Sequence, residues 1–346
     1  METEAAFLRT VMRDAFTDRF ARARPFVFLG VLLLSACVSS SPAPSAIPSP
    51  SASAAASQPP PDLVGRLVFV RSGGIYGDAT VFTANADGTN EHQLSDVGEA
   101  CCAFATRGGE RVLFDTLAPD GRITTATINF DGSDRVEIKL PDGTLNLGPG
   151  PWSPDGRQIA FEGFDNAHPE VTGIYIGSAD GTNLVRITQE GGIPADWSPD
   201  GTQVLFLRDP DGDSPGPGRL FVVNADGSGE RQVTPDEVGV QCCWGYRWSS
   251  DGSRILFPSD DGILWLVNSD GTDPTQLFVD EKVFHVRRSA ITPTWSPDGT
   301  QVMFAMSPQS IIDESPNGLY VIDADGTGLT LVIGGNTFKR EPSWVP

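Results

Sequence analysis

The sequence predicts an all-β fold assembled from six copies of a four-stranded antiparallel unit, and three observations carry that reading. First, Trp-Ser-Pro-Asp-Gly recurs at Trp152, Trp197 and Trp295, with Trp-Ser-Ser-Asp-Gly at Trp248. A degenerate copy starts at Phe104 (FATRGG) and a truncated one stands at Trp344 (WVP). Successive copies lie 48, 45, 51, 47 and 49 residues apart, a period that marks a repeat architecture. Second, an Asp-Gly phrase sits between these copies: NADGT at Asn85, NFDGS at Asn129, SADGT at Ser178, NADGS at Asn224, NSDGT at Asn268 and DADGT at Asp323. Third, the segments flanking both phrases alternate apolar and polar residues between turn formers, which is the strand signature.

Each unit divides into strands A to D. Strand A ends at the Trp. Ser-Pro-Asp-Gly then makes a tight turn, because a type I turn takes Ser or Asp first, tolerates Pro second and favours Gly fourth. Strand B follows, as in RQIAFEG at Arg157, TQVLFLR at Thr202, SRILFPS at Ser253 and TQVMFAM at Thr300. Strand C precedes the Asp-Gly phrase, as in GIYIGS at Gly173, RLFVVN at Arg219, ILWLVN at Ile263 and LYVIDA at Leu319. The Asp-Gly phrase is a second hairpin turn, its Gly supplying the left-handed conformation. Strand D is short: EHQLS at Glu91, VRITQ at Val185, ERQVT at Glu230. Units of this kind at this period are propeller blades. The first unit offers B (GRLVFVR at Gly65), C (ATVFTAN at Ala79) and D without an A, and the chain ends on a surplus A, KREPSWV at Lys339. The predicted fold is therefore a six-bladed β-propeller, closed by the C-terminal strand joining blade 1 beside Leu67 and Val68. Closure removes exposed sheet edges.

Residues 1–62 lie ahead of the ring. Arg19, Arg22 and Arg24 precede an apolar run, Pro25 to Leu34, and then Leu-Ser-Ala-Cys ends at Cys37. Basic, apolar and then small residues read as a secretory signal. The run is shorter than the roughly 20 residues a membrane span needs. Residues 1–37 are read as a signal peptide starting at Met1 or Met12, a plain one being cleaved near Ala36. Residues 38–62 are Ser, Ala and Pro with almost no charge, a composition that cannot bury enough apolar surface to fold. They read as a disordered tether, leaving 63–346 as one propeller.

The chain carries 24 Lys and Arg against 45 Asp and Glu, a formal net charge of −21. That disfavours nucleic acid as a partner, whose phosphates demand clustered cations. Asp-bearing turns in every blade account for much of the acidity.

Several residues depart from the repeat. Cys101-Cys102 and Cys242-Cys243 occupy matching settings before strand A of blades 2 and 5. In an exported chain an even number of cysteines implies disulfides. Three pairings exist, and the distance between facing blades, set against the ~7 Å limit on Cα separation, favours two vicinal bonds. Trp244, Tyr246 and Arg247 break the pattern beside Cys243 and are candidate partner contacts. His285, Arg287 and Arg288 lie in a long D–A connection and join them as candidates. The repeated Trp residues are read as packing between blades, since aromatic side chains bury large areas. Asp209, Asp211 and Asp213 have oxygen-ligand spacing suited to Ca²⁺, but the closing Glu of such a loop is missing and a solvated acidic loop is the better reading; no metal or other cofactor is expected. The histidines His92, His168 and His285 show no local metal spacing, and no nucleophile elbow or catalytic constellation is present.

The WSPDG phrase, the downstream Asp-Gly turn and the Leu-Thr-like strand D resemble the TolB-type, Pro-Asp-repeat β-propeller family over essentially all of 63–346. The Leu-Ser-Ala-Cys tetrapeptide resembles the lipobox of bacterial lipoproteins, which implies lipidation at Cys37. The propeller resemblance implies an extracytoplasmic platform that binds a protein or peptide of the cell envelope, as a monomer and without enzymatic activity. The membrane is then reached only through the lipid, on the outer leaflet of the cytoplasmic membrane or on the outer membrane. Variable B–C and D–A connections would form the binding face. The alternative is a carbohydrate- or peptide-acting enzyme, or a small-ligand receptor, working in the central channel. Related propellers include oligogalacturonate lyases, which use a histidine-rich metal site that the placement of His92 in strand D does not match.

Overall fold

The computed structural model describes residues 63–72, 79–96, 103–117, 123–138, 145–165, 168–208, 218–240, 245–259, 263–277, 292–306, 318–335 and 337–346. Every described residue belongs to one compact unit, Asp62–Pro346. The described residues form six four-stranded sheets. Blade 1 orders Phe338–Val345, Arg66–Ser72, Ala79–Asn85 and His92–Gln93; blade 2 orders Phe104–Ala105, Arg111–Leu117, Ile123–Asn129 and Val136–Ile138. Blade 3 orders Asn146–Trp152, Gln158–Phe164, Gly173–Ser178 and Val185–Arg186; blade 4 orders Ile193–Trp197, Gln203–Arg208, Arg219–Asn224 and Arg231–Gln232. Blade 5 orders Arg247–Trp248, Arg254–Pro258, Leu264–Asn268 and Thr275–Gln276; blade 6 orders Thr294–Trp295, Gln301–Met306, Gly318–Asp323 and Thr330–Ile333.

All pairings are antiparallel, and the C-terminal strand completes blade 1. Leu67 stands opposite Trp344 and Val68 opposite Ser343. The first and last strands of the ring thus share one sheet, as the surplus strand A implied.

The turns take the form their residues dictate. In the turn after Trp152, Gly156 N–H donates to the Ser153 carbonyl at 2.9 Å and Gly156 adopts φ +68°. The Ser153 hydroxyl donates to Asp155 Oδ1 at 2.7 Å and accepts from Gln158 N–H at 2.9 Å. Asp200, Asp251 and Asp298 repeat this role in their own turns. In the Asp-Gly turns Asp226 Oδ1 accepts from both the amide and the hydroxyl of Ser228, at 2.9 and 2.6 Å; Asp200, Asp251 and Asp298 make this pair of bonds too, in addition to the one from the preceding Ser. These local bonds replace strand hydrogen bonds where the chain reverses.

The core is divided into six apolar clusters, each bridging two consecutive blades. Trp197 packs with Ile174 and Ile176 of blade 3 and Phe206 of blade 4. Trp248 packs with Leu205 and Leu220 of blade 4, Trp295 with Leu256 and Leu266 of blade 5, and Trp344 with Met303 and Val321 of blade 6. Trp152 joins Leu113 and Ile138 of blade 2. The repeated Trp is therefore the wedge between neighbouring blades, and all five are buried.

The seam between blades 1 and 2 is built differently. Thr106 makes the turn contacts that Ser153 makes elsewhere: its amide bonds the Arg111 carbonyl and its own carbonyl accepts from Gly109 N–H. That sets Ala105, not Phe104, at the Trp position, one residue later than the sequence alignment placed the degenerate copy. The small residue is matched by a large one. Phe130 occupies the place held by Ala86, Ala179, Ala225, Ser269 and Ala324 in the other Asp-Gly turns. Phe130 and Ala105 pack on the same cluster, against Val68 and Val81 of blade 1, and the Arg66 guanidinium lies 4.3 Å over the Phe130 ring. Large and small have exchanged places, conserving volume in a close-packed interface.

Candidate functional site

The innermost strands of the blades meet around the central channel. A cavity of about 50 Å³ lies there, lined by Phe104, Ala105, Arg107, Pro151, Trp152, Ala195, Asp196, Arg247 and Ser343. Five of these (Ser343, Phe104, Pro151, Asp196 and Arg247) stand immediately before the Trp position of blades 1 to 5. The strands carrying Asp196 and Ser343 are both bulged, the register shifting between Pro194 and Asp196 and between Val68 and Val70. A bulge bends the strand and re-aims its side chains.

Charged side chains gather near it, held chiefly by backbone groups. Asp196 is fixed by two backbone amides: Trp197 N–H donates to Oδ1 at 2.9 Å, and Trp248 N–H of the next blade donates to Oδ2 at 2.8 Å. Arg247 Nη1 donates to the carbonyls of Ala195 and Tyr246 at 2.9 and 3.1 Å. Arg107 reaches from blade 2 to blade 4, where Nη2 donates to the Trp197 carbonyl at 2.9 Å and lies 3.8 Å from Asp196 Oδ2. Burial pushes the Arg247 guanidinium below the usual arginine range; Asp196 and Glu341 draw it back up, and Arg107 opposes them. Arginine remains a cation in such settings. Glu341 is unusual on two counts. Its φ of +55° is left-handed for a residue that is neither Gly, Asn nor Asp. It is also buried, and its Oε2 takes no hydrogen bond among the described residues while its amide donates to Thr292 Oγ1 at 2.8 Å. Arg340 Nε is 3.7 Å from Glu341 Oε1.

Among the residues singled out from sequence, Arg247 reaches the channel cavity. Tyr246 is packed between blades 4 and 5, 1% exposed, in the cluster of Trp248 and Leu220; it is a core residue and offers no surface to a partner. Trp244, His285, Arg287, Arg288, the cysteines Cys37, Cys101, Cys102, Cys242 and Cys243, and the aspartates Asp209, Asp211 and Asp213 lie outside the described residues. His92 is exposed in strand D of blade 1, opposite Thr83. His168 is exposed and contacts Glu170 at 3.2 Å. Among the described residues no three His, Cys, Asp or Glu side chains are grouped to hold a metal.

Arg107, Asp196 and Glu341 were not singled out from sequence. The signals were present in the repeat: Arg107 stands where Pro154 and Pro199 stand in regular copies, and Asp196 precedes a Trp where the others have Pro, Arg, Thr or Ser.

No family model matches the chain, and no curated protein matches it. Solved structures do. TolB from Acinetobacter baumannii aligns with a TM-score of 0.63 at 19% identity, over 82% of this chain and 67% of that one. A TolB-type protein from Agrobacterium tumefaciens aligns with a TM-score of 0.56 at 17% identity, over 82% of this chain and 99% of that one. An oligogalacturonate lyase in complex with manganese aligns with a TM-score of 0.51 at 13% identity, over 78% and 74% of the two chains. The chain has the fold of the TolB-type β-propellers. At these identities the likeness concerns the fold, which hosts binding proteins and enzymes alike.

Proposed function

We propose that this protein is an exported, lipid-anchored β-propeller that binds a protein or peptide of the cell envelope, without catalysis, through the face bearing its B–C and D–A connections. The observation that carries the reading is the asymmetry of the ring. The A–B and C–D turns are short, locally bonded copies of one another, whereas the connections at the other end differ in length and composition from blade to blade. A rigid ring that varies on one face suits recognition. The likeness to TolB-type proteins supports an extracytoplasmic setting. Cys37 would carry the lipid, 38–62 would act as tether, and the protein would work as a monomer.

The test is a pull-down from envelope extract with the exported chain as bait, compared with Trp244→Ala and with an Arg287→Glu/Arg288→Glu double variant. A partner recovered by the parent and lost with either variant supports the proposal. Recovery indifferent to both would remove this face as the binding surface. A second reading, an enzyme or small-ligand receptor using the channel, draws support from the buried charges beside the cavity.

A further inference from the structure

We infer that the channel cavity is a binding site for a carboxylate group, held by Arg107 and Arg247. Each guanidinium is anchored through one nitrogen only. Arg247 uses Nη1 on two carbonyls, and Arg107 uses Nη2 on the Trp197 carbonyl. The other N–H groups of both side chains take no acceptor among the described residues, although arginine offers five donors. Both side chains line the cavity. Asp196 accepts from the amides of Trp197 and Trp248 and lies 3.8 Å from Arg107 Nη2, beyond hydrogen-bond distance, so it takes up none of these donors.

The charge of the lining points the same way: Arg107 and Arg247 face the cavity with the single carboxylate of Asp196. A charged acceptor forms stronger hydrogen bonds with such donors than a neutral one does. At about 50 Å³ the cavity exceeds the roughly 10–15 Å³ that a single water needs and has room for the planar head of a carboxylate, with Phe104 and Pro151 as apolar walls. The carboxylate could belong to a free small acid, or to the terminus or an acidic side chain of a peptide.

The inference does not depend on the partner proposed above, since a pull-down can fail while the cavity still binds. The experiment is NMR of arginine Nε–H signals in the full exported chain labelled with ¹⁵N-arginine. Sodium acetate is titrated against sodium chloride at equal ionic strength. Two peptide pairs follow: one with a free or amidated C-terminus, one with Asp or Asn at a single position. Arg107→Gln is the primary variant, because Arg107 is a third exposed, and its thermal melt is compared with the parent's; Arg247→Gln is secondary. We expect saturable shifts with acetate and not with chloride, weakened at least tenfold in Arg107→Gln. Saturation by acetate assigns the site to free acids. Silence with acetate but saturation by the free-terminus or Asp peptide assigns it to a peptide carboxylate. Non-saturating shifts shared with chloride, shifts unchanged in Arg107→Gln, or tighter binding of inorganic phosphate than of any carboxylate would overturn the inference.

Discussion

Replacing Phe130 with Ala should open the seam between blades 1 and 2, and replacing Ala105 with Trp in the same chain should close it again. Truncating a fully buried Phe costs about 3–5 kcal/mol. Phe130 is partly buried, so about half of that, roughly 2 kcal/mol, is expected from packing. Loss of the Arg66 contact at 4.3 Å adds about 0.5–1 kcal/mol. Ala105→Trp alone inserts a large ring beside an intact Phe130 and should cost about 1–3 kcal/mol through overpacking. If the two residues share one volume, the double variant restores the pairing of a Trp with a small residue used at the other five seams. It should then lie within about 2 kcal/mol of the parent, with a coupling energy of about 2–3 kcal/mol in the direction of rescue. Equilibrium urea unfolding of the four proteins supplies the cycle, provided the slopes agree. Losses that simply add would refute the exchange of volumes.

Acid should weaken the fold through its turns. Ten turn aspartates (Asp87, Asp131, Asp155, Asp180, Asp200, Asp226, Asp251, Asp270, Asp298 and Asp325) sit below their ordinary pKa, chiefly because Ser or Thr hydroxyls donate to them, and Asp251 falls to about 2. A depressed folded pKa gives stability that is present above the unfolded value, near 4, and is lost as pH falls towards 2; urea midpoints that stay level from pH 5 to 2 would contradict this. Glu341→Gly should leave stability unchanged or raise it by about 1 kcal/mol, because it relieves a left-handed non-glycine backbone and removes a buried unpartnered carboxylate oxygen; a clear loss by thermal melting would show that the carboxylate holds the channel together. Deleting 338–346 should abolish the cooperative unfolding transition, since blade 1 loses its innermost strand and the seam to blade 6 loses Trp344; an unchanged melt would argue against closure. Cys37→Ser should move the protein from the membrane fraction to the soluble one, read by fractionation, if the lipid is its sole anchor.

The fold was legible because turns are local. Ser-Pro-Asp-Gly and Asn-Ala-Asp-Gly each specify their own hydrogen bonds within a few residues, and their spacing fixes the blade count without any knowledge of long-range contacts. Closure was legible from the imbalance between a missing strand at Gly65 and a surplus one at Lys339. The degenerate copy was misplaced by one residue because FATRGG has lost both the Trp and the Asp that mark the register; the hydrogen bonds of Thr106 restore it. The channel was less legible. Tyr246 and Arg247 both broke the repeat, yet neighbours in a strand point to opposite sides, so one entered the core and the other the cavity. Glu341 reaches its position only through a bulge, and a bulge in an isolated Pro-containing strand leaves no periodic trace.

The account rests most heavily on the pairing of the last strand with the first. Introducing Val68→Cys and Ser343→Cys tests it, since directly opposed residues of an antiparallel pair have Cα atoms about 4.5–5.5 Å apart, within disulfide range. Peptide mapping by mass spectrometry after mild oxidation should find a bond within one chain joining the peptide of Arg66–Ser72 to that of Phe338–Val345. Cross-links only between separate chains, or none, would contradict the closed ring.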